Sequence, residues 1–135
     1  MDHDAVVSTD GSCLDNPGGP GAWAFVYRTD DGRVECSDAR DSTTNNRAEL
    51  IAILAALRFS DEGDSLLIRS DSKYAINVCT GKWSAKANRD ILRHIWKEME
   101  SRDVTFTWVK AHTGDRDNER ADTLALETAI DGANE

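Results

Sequence analysis

The chain has 135 residues, of which 39% are hydrophobic and 30% charged, and its net charge is −9. This size and balance predict one folded domain spanning residues 1–135, and they exclude a disordered or fibrous chain. No apolar run approaches the roughly 20 residues that a membrane-spanning helix needs, and the acidic start of the chain excludes a secretion signal.

The first half of the chain is predicted to form three strands and then a helix. The strands cover residues 5–9, 22–27 and 33–38, and the helix covers residues 46–58. An Asp-Gly pair before the third strand favours a hairpin between the second and third strands. Three hydroxyl residues precede the helix and can cap it, and the apolar residues within it recur at helical spacing.

The second half alternates strands with helices. Strands are predicted over residues 66–69 and 104–109, and helices over residues 73–79, 88–102 and 118–130. The last strand alternates apolar residues with threonine, as expected of a half-buried strand. Three opening strands followed by helix–strand units predict an α/β fold, in which a mixed five-stranded sheet is flanked by helices.

Four acidic residues lie at or near the ends of these predicted elements. Asp10 ends the first strand, Asp71 ends the fourth, Glu49 is in the first turn of the first long helix, and Asp122 is early in the last helix. If the two strands are neighbours, Asp10 and Asp71 meet at one edge of the sheet. Converging carboxylates repel one another unless a cation lies among them, and Mg²⁺ is their natural partner. Because the chain has 25 acidic residues, composition alone leaves scattered surface acids as an alternative.

Short motifs around these acids carry a resemblance to a known family. The chain contains, in this order, Ser-Thr-Asp-Gly-Ser-Cys at residues 8–13, Asn-Pro-Gly at 16–18, Thr-Asn-Asn-Arg-Ala-Glu-Leu at 44–50, Ser-Asp-Ser-Lys-Tyr at 70–74, Trp-Val-Lys-Ala-His at 108–112 and Asn-Glu-Arg-Ala-Asp at 118–122. Their order and spacing resemble the type 1 ribonuclease H family over essentially the whole chain. The resemblance implies the ribonuclease H-like fold and an endonuclease that cuts the RNA strand of RNA–DNA hybrids.

The resemblance also implies a two-metal mechanism with Mg²⁺, for which Mn²⁺ is a possible substitute, and products with 5′-phosphate and 3′-hydroxyl ends. It assigns both metal binding and catalysis to Asp10, Glu49, Asp71 and Asp122. Asp10 is the best candidate to bridge both ions, Asp71 would touch the metals directly, and Asp122 would complete the second site. Glu49 would bind one metal and could sense a ribose 2′-hydroxyl. His112 would be catalytic through proton transfer or product release.

Further positions match residues with which the family contacts the RNA strand. Cys13, through the backbone of residues 11–13, and Asn16 and Asn46 match contacts in the minor groove, where the 2′-hydroxyl distinguishes RNA from DNA. Asn16 has an equally simple structural interpretation, because asparagine before a proline is a common turn former.

Three positions match a pocket that grips a phosphate of the DNA strand: Thr44, Arg47 and Asn88. Arg47 would supply a charge-assisted donor, although an arginine near the start of a helix can instead pair with a nearby acid. Lys73 occupies a position at which the family often has glutamine. It is expected to add a contact to the nucleic-acid backbone, with some loss of discrimination between bases.

The four tryptophans are assigned different environments. Trp23 and Trp108 lie in strand patterns and are expected in the core. Trp96 lies among apolar residues of a helix and is also expected in the core. Trp83 follows a lysine in the segment between two helices, and it is expected to contact a sugar of the DNA strand.

Residues 82–97 form a basic stripe, because they contain five cations and one anion. The stripe carries +4, which leaves −13 for the rest of the chain. Such a stripe can hold a phosphate backbone locally, although a solvated helix face has the same pattern. The segment between the two helices is shorter and less basic than in many family members. We therefore expect hybrid binding that is weak and falls steeply with salt.

Other functions remain open on the sequence alone. A different metal nuclease or strand-transfer enzyme of the same fold would also have clustered acids, but not the Asn-Asn-Arg-x-Glu segment. A non-catalytic hybrid-binding module should lack one of the four acids, and none is missing. Met1 and the polar tail at residues 131–135 favour a free-standing protein over a domain cut from a reverse transcriptase.

The three cysteines are too few and too scattered for a disulfide framework or a zinc site. Cys79 is expected to be a small buried hydrophobic residue. The sequence therefore predicts a cytoplasmic protein. It shows no self-complementary apolar face, so a monomer without membrane contact is expected.

Overall fold

The computed structural model describes residues 2–134; Met1 and Glu135, at the two ends of the predicted domain, lie outside the described residues. The elements are, in chain order, β1 (Ala5–Cys13), β2 (Gly21–Thr29), β3 (Gly32–Arg40), α1 (Asn45–Phe59), β4 (Ser65–Ser70), α2 (Lys73–Cys79), α3 (Arg89–Met99), β5 (Asp103–Trp108) and α4 (Arg116–Ala133). The predicted mixed α/β fold is confirmed. Within the described part of the chain, no helix is both long and apolar enough to cross a membrane.

The five strands form one sheet in the order β3-β2-β1-β4-β5. The first three strands pair antiparallel, whereas β1 with β4 and β4 with β5 pair parallel. β1 and β4 are therefore neighbours, as the predicted meeting of Asp10 and Asp71 requires. Their register pairs Ser8 with Arg69, and the same register continued by two residues places Asp10 opposite Asp71.

The hydrophobic core lies between the sheet and the helices α1, α2 and α3. Its fully buried side chains include Phe25, Leu50, Ile53, Ile68 and Leu92. The apolar residues of α1 recur at helical spacing and pack on β1, β2 and α3. α4 packs against the first three strands and buries alanines at four-residue intervals. β1 thus contacts two helices as well as two strands, which fixes its position firmly.

Two predicted elements near the functional residues have wrong boundaries. β1 continues to Cys13, because β2 pairs with it as far as Gly21, so Asp10 lies inside the strand and not at its end. The helix predicted over residues 88–102 is shorter at both ends. Asn88 has a left-handed φ of 60° and only caps α3. At the other end α3 stops at Met99, and Arg102, beyond the helix, donates to the side chain and carbonyl of Ser60.

The expected burial of the aromatic residues holds for Trp23, which packs against the core and stacks on Phe25. It is wrong for Trp96 and Trp108, which are 39% and 44% exposed. Each of these two indole N–H groups donates to a backbone carbonyl at 3.0 Å, so each ring lies across the surface and not within the core. Cys79 is buried, as predicted.

Replacing Leu92 by alanine is expected to lower the free energy of unfolding by about 2–5 kcal/mol, because the fully buried side chain leaves a cavity beneath α3. Denaturant unfolding followed by circular dichroism measures this loss. Leu126→Ala is the matched control, since this leucine of α4 is 46% exposed. Its cost should stay within about 0.5 kcal/mol. Equal losses for the two variants would contradict this description of the core.

Candidate active site

Three carboxylates converge beside the centre of the sheet. One oxygen from each of Asp10, Glu49 and Asp71 lies within 4.8 Å of the other two. Asp10 is carried by β1, Asp71 directly follows β4, and Glu49 lies in the second turn of α1. Glu49 was predicted in the first turn of this helix, and that prediction is wrong. Thr44 is the N-cap and α1 begins at Asn45, so Glu49 is the fifth helical residue and lies just past the first turn.

Gly11 allows Glu49 to come this close to Asp10. A Cβ atom at Gly11 would lie 2.3 Å from the backbone nitrogen of Glu49 and 2.7 Å from the Cβ of Ala48. Both distances are far below van der Waals contact, so only glycine permits α1 to touch β1 here. The residue next to a metal-binding candidate therefore sets the spacing of the acids.

Burial dominates the electrostatics of this cluster. Asp10 is 4% exposed and Glu49 is 8% exposed. Burial is the largest cause raising the pKa of Asp10, and the charges of Glu49 and Asp71 raise it further. Burial also raises the pKa of Glu49, as does the charge of Asp71. The pKa of Asp71 is raised by burial and then by the charge of Asp122. In the absence of a cation, these groups hold protons more tightly than ordinary carboxyl groups.

The donor set fits a hard divalent cation. Oε2 of Glu49 is buried and has no hydrogen-bond partner among the described residues. A buried carboxylate oxygen without a donor is costly, and a cation between it and the neighbouring oxygens would remove that cost. Oxygen-only ligands favour Mg²⁺-type or Ca²⁺-type ions over zinc or copper. These three residues can therefore hold a divalent metal.

The other two predicted catalytic residues border the same cluster. Asp122, on α4, is one of the neighbours that raise the pKa of Asp10, and its charge also raises the pKa of Asp71. His112 is exposed in the loop between β5 and α4, with a left-handed φ of 58°. Its positive charge lowers the pKa of Asp71. The structure thus brings three of the five residues into one cluster, and the catalytic roles of Asp122 and His112 stay predictions.

A cleft of about 610 Å³ opens at the N-terminal end of α1. Its lining includes four predicted substrate-binding residues: Asn16, Thr44, Asn46 and Asn88. The loop before β2 is tied to this helix end, because Oδ1 of Asn16 accepts from the backbone of Asn45 at 3.0 Å. The backbone N–H of Cys13 donates to the side chain of Asn45, also at 3.0 Å. These bonds give Asn16 a structural role, and its contact with RNA stays a prediction.

Thr44, Arg47 and Asn88 lie together, but Arg47 already has an acidic partner. Its guanidinium bonds to both carboxylate oxygens of Asp90, at 2.7 and 3.2 Å, and to Oδ1 of Asn88 at 3.3 Å. The sequence left open whether Arg47, near the start of α1, would pair with a nearby acid. The structure shows that it pairs with Asp90. Sequence reasoning missed Asp90 as a member of this pocket, although it is the one anion of the basic stripe.

Lys73 and Trp108 form a second unforeseen arrangement beside Asp71. Nζ of Lys73 lies 4.5 Å from the centre of the Trp108 ring, a cation–π contact. The indole N–H of Trp108 donates to the backbone carbonyl of Asp71. The position of Trp108 at the end of β5, next to β4 in the sheet, was the available signal. Contact of Lys73 with the substrate stays a prediction, as does that of Trp83, which is 51% exposed.

Comparison with known proteins agrees with the resemblance noted in the sequence. The family model described as RNase H matches residues 2–130. The Ribonuclease H of Campylobacter jejuni subsp. jejuni serotype O:23/36 (strain 81-176) is 39% identical over 137 residues, which cover 96% of this chain and 93% of that protein. The Ribonuclease H of Methylorubrum extorquens (strain PA1) is 38% identical over 132 residues, which cover 89% of this chain and only 58% of that protein.

A solved structure extends this likeness to the fold. The crystal structure of RNase H1 from the halophilic archaeon Halobacterium salinarum NRC-1 matches with a TM-score of 0.81 at 31% sequence identity. The match covers 94% of this chain and 98% of that one.

Gly11→Ala is expected to lower the free energy of unfolding by about 1–3 kcal/mol or more, because the added methyl group forces α1 away from β1. It should also reduce the rise in melting temperature that Mg²⁺ produces, since Glu49 moves away from Asp10. Thermal melts with EDTA and with Mg²⁺ measure both effects.

Gly63→Ala is the control, because its φ of 88° is strained but no atom lies near the new Cβ. It should lose stability and keep the full response to Mg²⁺; a full response in Gly11→Ala would refute the spacing argument.

In EDTA, the acid cluster is expected to make the protein less stable as the pH rises from about 5 to 8. The folded-state pKa values of Asp10 and Glu49 are raised. Their stabilising contribution is therefore complete below the unfolded values of about 4, and it is lost as the pH rises through the folded values. Asp10→Asn should flatten this decline and exceed the wild type by on the order of 1 kcal/mol or more at pH 8. Thermal melts across this range measure the difference, with exposed Asp41→Asn as the control. A wild type that gains stability over the same range would contradict the prediction.

Proposed function

The chain belongs to the RNase H family, and we propose on that basis that it is an endonuclease that hydrolyses the RNA strand of RNA–DNA hybrids. The observation that carries the proposal is the convergence of Asp10, Glu49 and Asp71 within 4.8 Å of one another. The helix that carries Glu49 also borders, at its N-terminal end, an open cleft whose polar side chains suit a nucleic-acid backbone. The four acids needed for metal-dependent hydrolysis, with Asp122 as the fourth, are all present.

We propose that the active cation is Mg²⁺, that two ions bind when the substrate is present, and that Mn²⁺ can replace it. Asp10 and Asp71 would hold the ions directly, with Glu49 completing one site and Asp122 the other. Cations held there would supply activation of a water molecule for in-line attack on the scissile phosphate and stabilisation of charge on the leaving 3′ oxygen. The products would then carry 5′-phosphate and 3′-hydroxyl ends.

The protein's own side chains would orient the substrate and handle protons. Glu49 lies on the helix whose N-terminal end borders the cleft, and it would accept a hydrogen bond from a ribose 2′-hydroxyl, with Asn16 and Asn46 also contacting the RNA strand. This bond is available only from RNA, so it would select the strand that is cut. His112, exposed and close enough to influence Asp71, would accept or return a proton at the leaving group, or assist product release.

The cleft would grip the DNA strand through one phosphate. Thr44 and Asn88 line it, and the Arg47 guanidinium donates to Oδ1 of Asn88. Asp90 already accepts hydrogen bonds from both terminal nitrogens of Arg47. A bound phosphate would therefore share the donors of this arginine with an acid. We infer that the resulting phosphate contact is weaker than one to a free arginine, which agrees with the expected weak binding. Lys73 and Trp83 would add outer contacts to the nucleic-acid backbone.

We further propose that residues 1–135 act as a single domain and as a monomer in the cytoplasm. The three cysteines are free thiols, as a reducing compartment would keep them. The chain spans 58% of the Methylorubrum extorquens relative, so any function of the additional length of that protein is separate from the proposal made here.

Labelled RNA–DNA hybrid, duplex DNA and duplex RNA, incubated with the protein and Mg²⁺, test the function directly. Only the RNA strand of the hybrid should be cut, at internal positions, and EDTA should stop the reaction. Cleavage of duplex DNA would indicate another nuclease of the same fold. Binding of the hybrid without cleavage, with both Mg²⁺ and Mn²⁺ supplied, would indicate a non-catalytic binding module.

Asp10→Asn should lower cleavage to below about one hundredth of the wild-type rate, because it removes a proposed ligand of both cations. Hybrid binding and folding should change little, since the substitution is isosteric and relieves repulsion within the cluster. Single-turnover cleavage and gel-shift binding measure the two effects. Asp41→Asn removes an exposed acid elsewhere and is the matched control. A variant that kept a tenth of the activity would rule out Asp10 as a bridging ligand.

A further inference from the structure

The loop between β5 and α4, residues 109–115, is tied at both ends to the last two residues of β4. At its start, the backbone N–H of Val109 donates to the carbonyl of Ser70 at 2.9 Å. At its end, Oδ2 of Asp115 lies 2.5 Å from Nη1 of Arg69, so the two side chains form an ion pair. The loop is therefore held to one strand by a main-chain bond and by a pair of charges.

Asp115 uses its two carboxylate oxygens for different contacts. Oδ2 faces Arg69, whereas Oδ1 accepts from the backbone N–H of Asn118 at 2.9 Å and caps α4. The ion pair is only partly open to water, since the two side chains are 29% and 21% exposed. A charge-assisted contact that is partly buried is stronger and less screened by salt than one on an open surface. The start of α4 is thus fixed to β4 at the residue where the loop ends.

The conformation of this loop needs such restraint. His112 has a left-handed φ of 58°, which is unfavourable for a residue with a Cβ atom and persists only where the surrounding structure holds it. Inside the loop, the hydroxyl of Thr113 donates to the carbonyl of Lys110 at 2.7 Å. The N–H of Gly114 donates to the side chain of Glu119 at 3.2 Å. These bonds shape the turn, and the two tied ends set where the turn lies relative to the sheet.

The loop carries His112 beside the acid cluster. The charge of His112 lowers the pKa of Asp71, and Asp71 directly follows β4. Because the loop ends are anchored to the two residues that precede Asp71, they fix the position of the imidazole relative to that carboxylate. A misplacement of about 1 Å can cost roughly a hundredfold in rate. Restraint of the loop can therefore change catalysis without any contact with the substrate.

We propose that Arg69 and Asp115 are positioning residues, whose ion pair holds the loop against the end of β4 and so places His112 at the acid cluster. The inference deepens the proposed function and rests on it. Both residues lie outside the motifs that carry the family resemblance. Neither is among the described residues that line the cleft at the start of α1, so loss of the pair should lower kcat and leave KM nearly unchanged.

Asp115→Asn tests the pair while keeping the helix cap. Asparagine caps a helix about as well as aspartate, so the variant removes the charge that faces Arg69 and retains an acceptor for Asn118. In steady-state cleavage of the hybrid with Mg²⁺, kcat should fall on the order of tenfold, and KM should change by less than about twofold. Arg69→Gln should give the same loss. Arg69→Lys keeps the positive charge and should recover part of the rate.

Amide hydrogen exchange gives a readout that does not depend on cleavage. Exchange in the segment 109–114, followed by mass spectrometry, should become faster on the order of threefold in Asp115→Asn, because one end of the loop is released. The matched control is Asp117→Asn. Asp117 also forms an ion pair at the start of α4, with Arg28 at 2.7 Å, but that pair joins the helix to β2. The control should lower the melting temperature and leave both kcat and loop exchange at the wild-type values.

A second control determines whether the pair acts through His112. His112→Ala should itself lower kcat, and adding Asp115→Asn to it should cause no further loss, because the group that the pair positions is already absent. Circular dichroism checks that each variant is folded. The positioning role would be overturned by unchanged loop exchange in Asp115→Asn, by equal effects of Asp117→Asn, or by a full additional loss of kcat in the His112→Ala background.

The exchange measurement also separates this inference from the proposed function. If the wild type cut the hybrid and Asp115→Asn kept the full kcat, the positioning role would fall and the endonuclease activity would stand. If the wild type cut no hybrid, yet Asp115→Asn released the loop and Asp117→Asn did not, the ion pair would stand as the anchor of the loop. The proposed endonuclease activity would then fall.

Discussion

Asp10 and Glu49 hold two carboxyl groups side by side where β1 meets α1, and their exposures are only 4% and 8%. Water cannot screen the repulsion between two buried carboxylates, so the folded protein can relieve it only by binding a proton or a cation. The raised pKa of Asp10 shows that this carboxyl readily binds a proton. Oε2 of Glu49, buried and without a hydrogen-bond partner among the described residues, is suited to bind a cation. A divalent cation among the carboxylates would displace these protons and offset both negative charges at once, so the same constraint favours metal binding.

The fold can maintain this strained arrangement because it is built on the most restrained part of the sheet. β1 lies between β2 and β4 and packs against both α1 and α4, so Asp10 cannot move away without disturbing four elements. Gly11 lets α1 touch the strand and keeps Glu49 in place. The parallel register of β1 and β4 brings Asp71 to the same level. Burial of apolar residues such as Leu50 and Ile53 beneath α1 offsets the electrostatic cost.

The sequence predicted the order of the elements and a set of four acids, three of which the structure clusters, because hydrophobic periodicity and the family motifs carry that information. It did not predict which surfaces stay open. Trp96 and Trp108 have the apolar pattern of core residues, yet both are exposed. Their indole N–H groups donate to the carbonyls of Cys79 and Asp71, which are distant in the sequence. A local pattern does not encode such partners. The end of β1 was placed too early, since its continuation depends on pairing with β2. The Arg47–Asp90 pair joins α1 to α3, a contact that local patterns do not encode.

The distribution of charge determines how a polyanion can approach this protein. A net charge of −9 repels a nucleic acid from most of the surface, and the unoccupied acid cluster would repel the scissile phosphate most strongly of all. We therefore expect productive binding to be favoured by cations among the acids and by alignment of the backbone with the basic stripe at residues 82–97. Because a misaligned hybrid would face carboxylates instead, the acidic body disfavours wrong registers more than it weakens the right one. The repulsion that limits affinity thus contributes to the selection of the productive orientation.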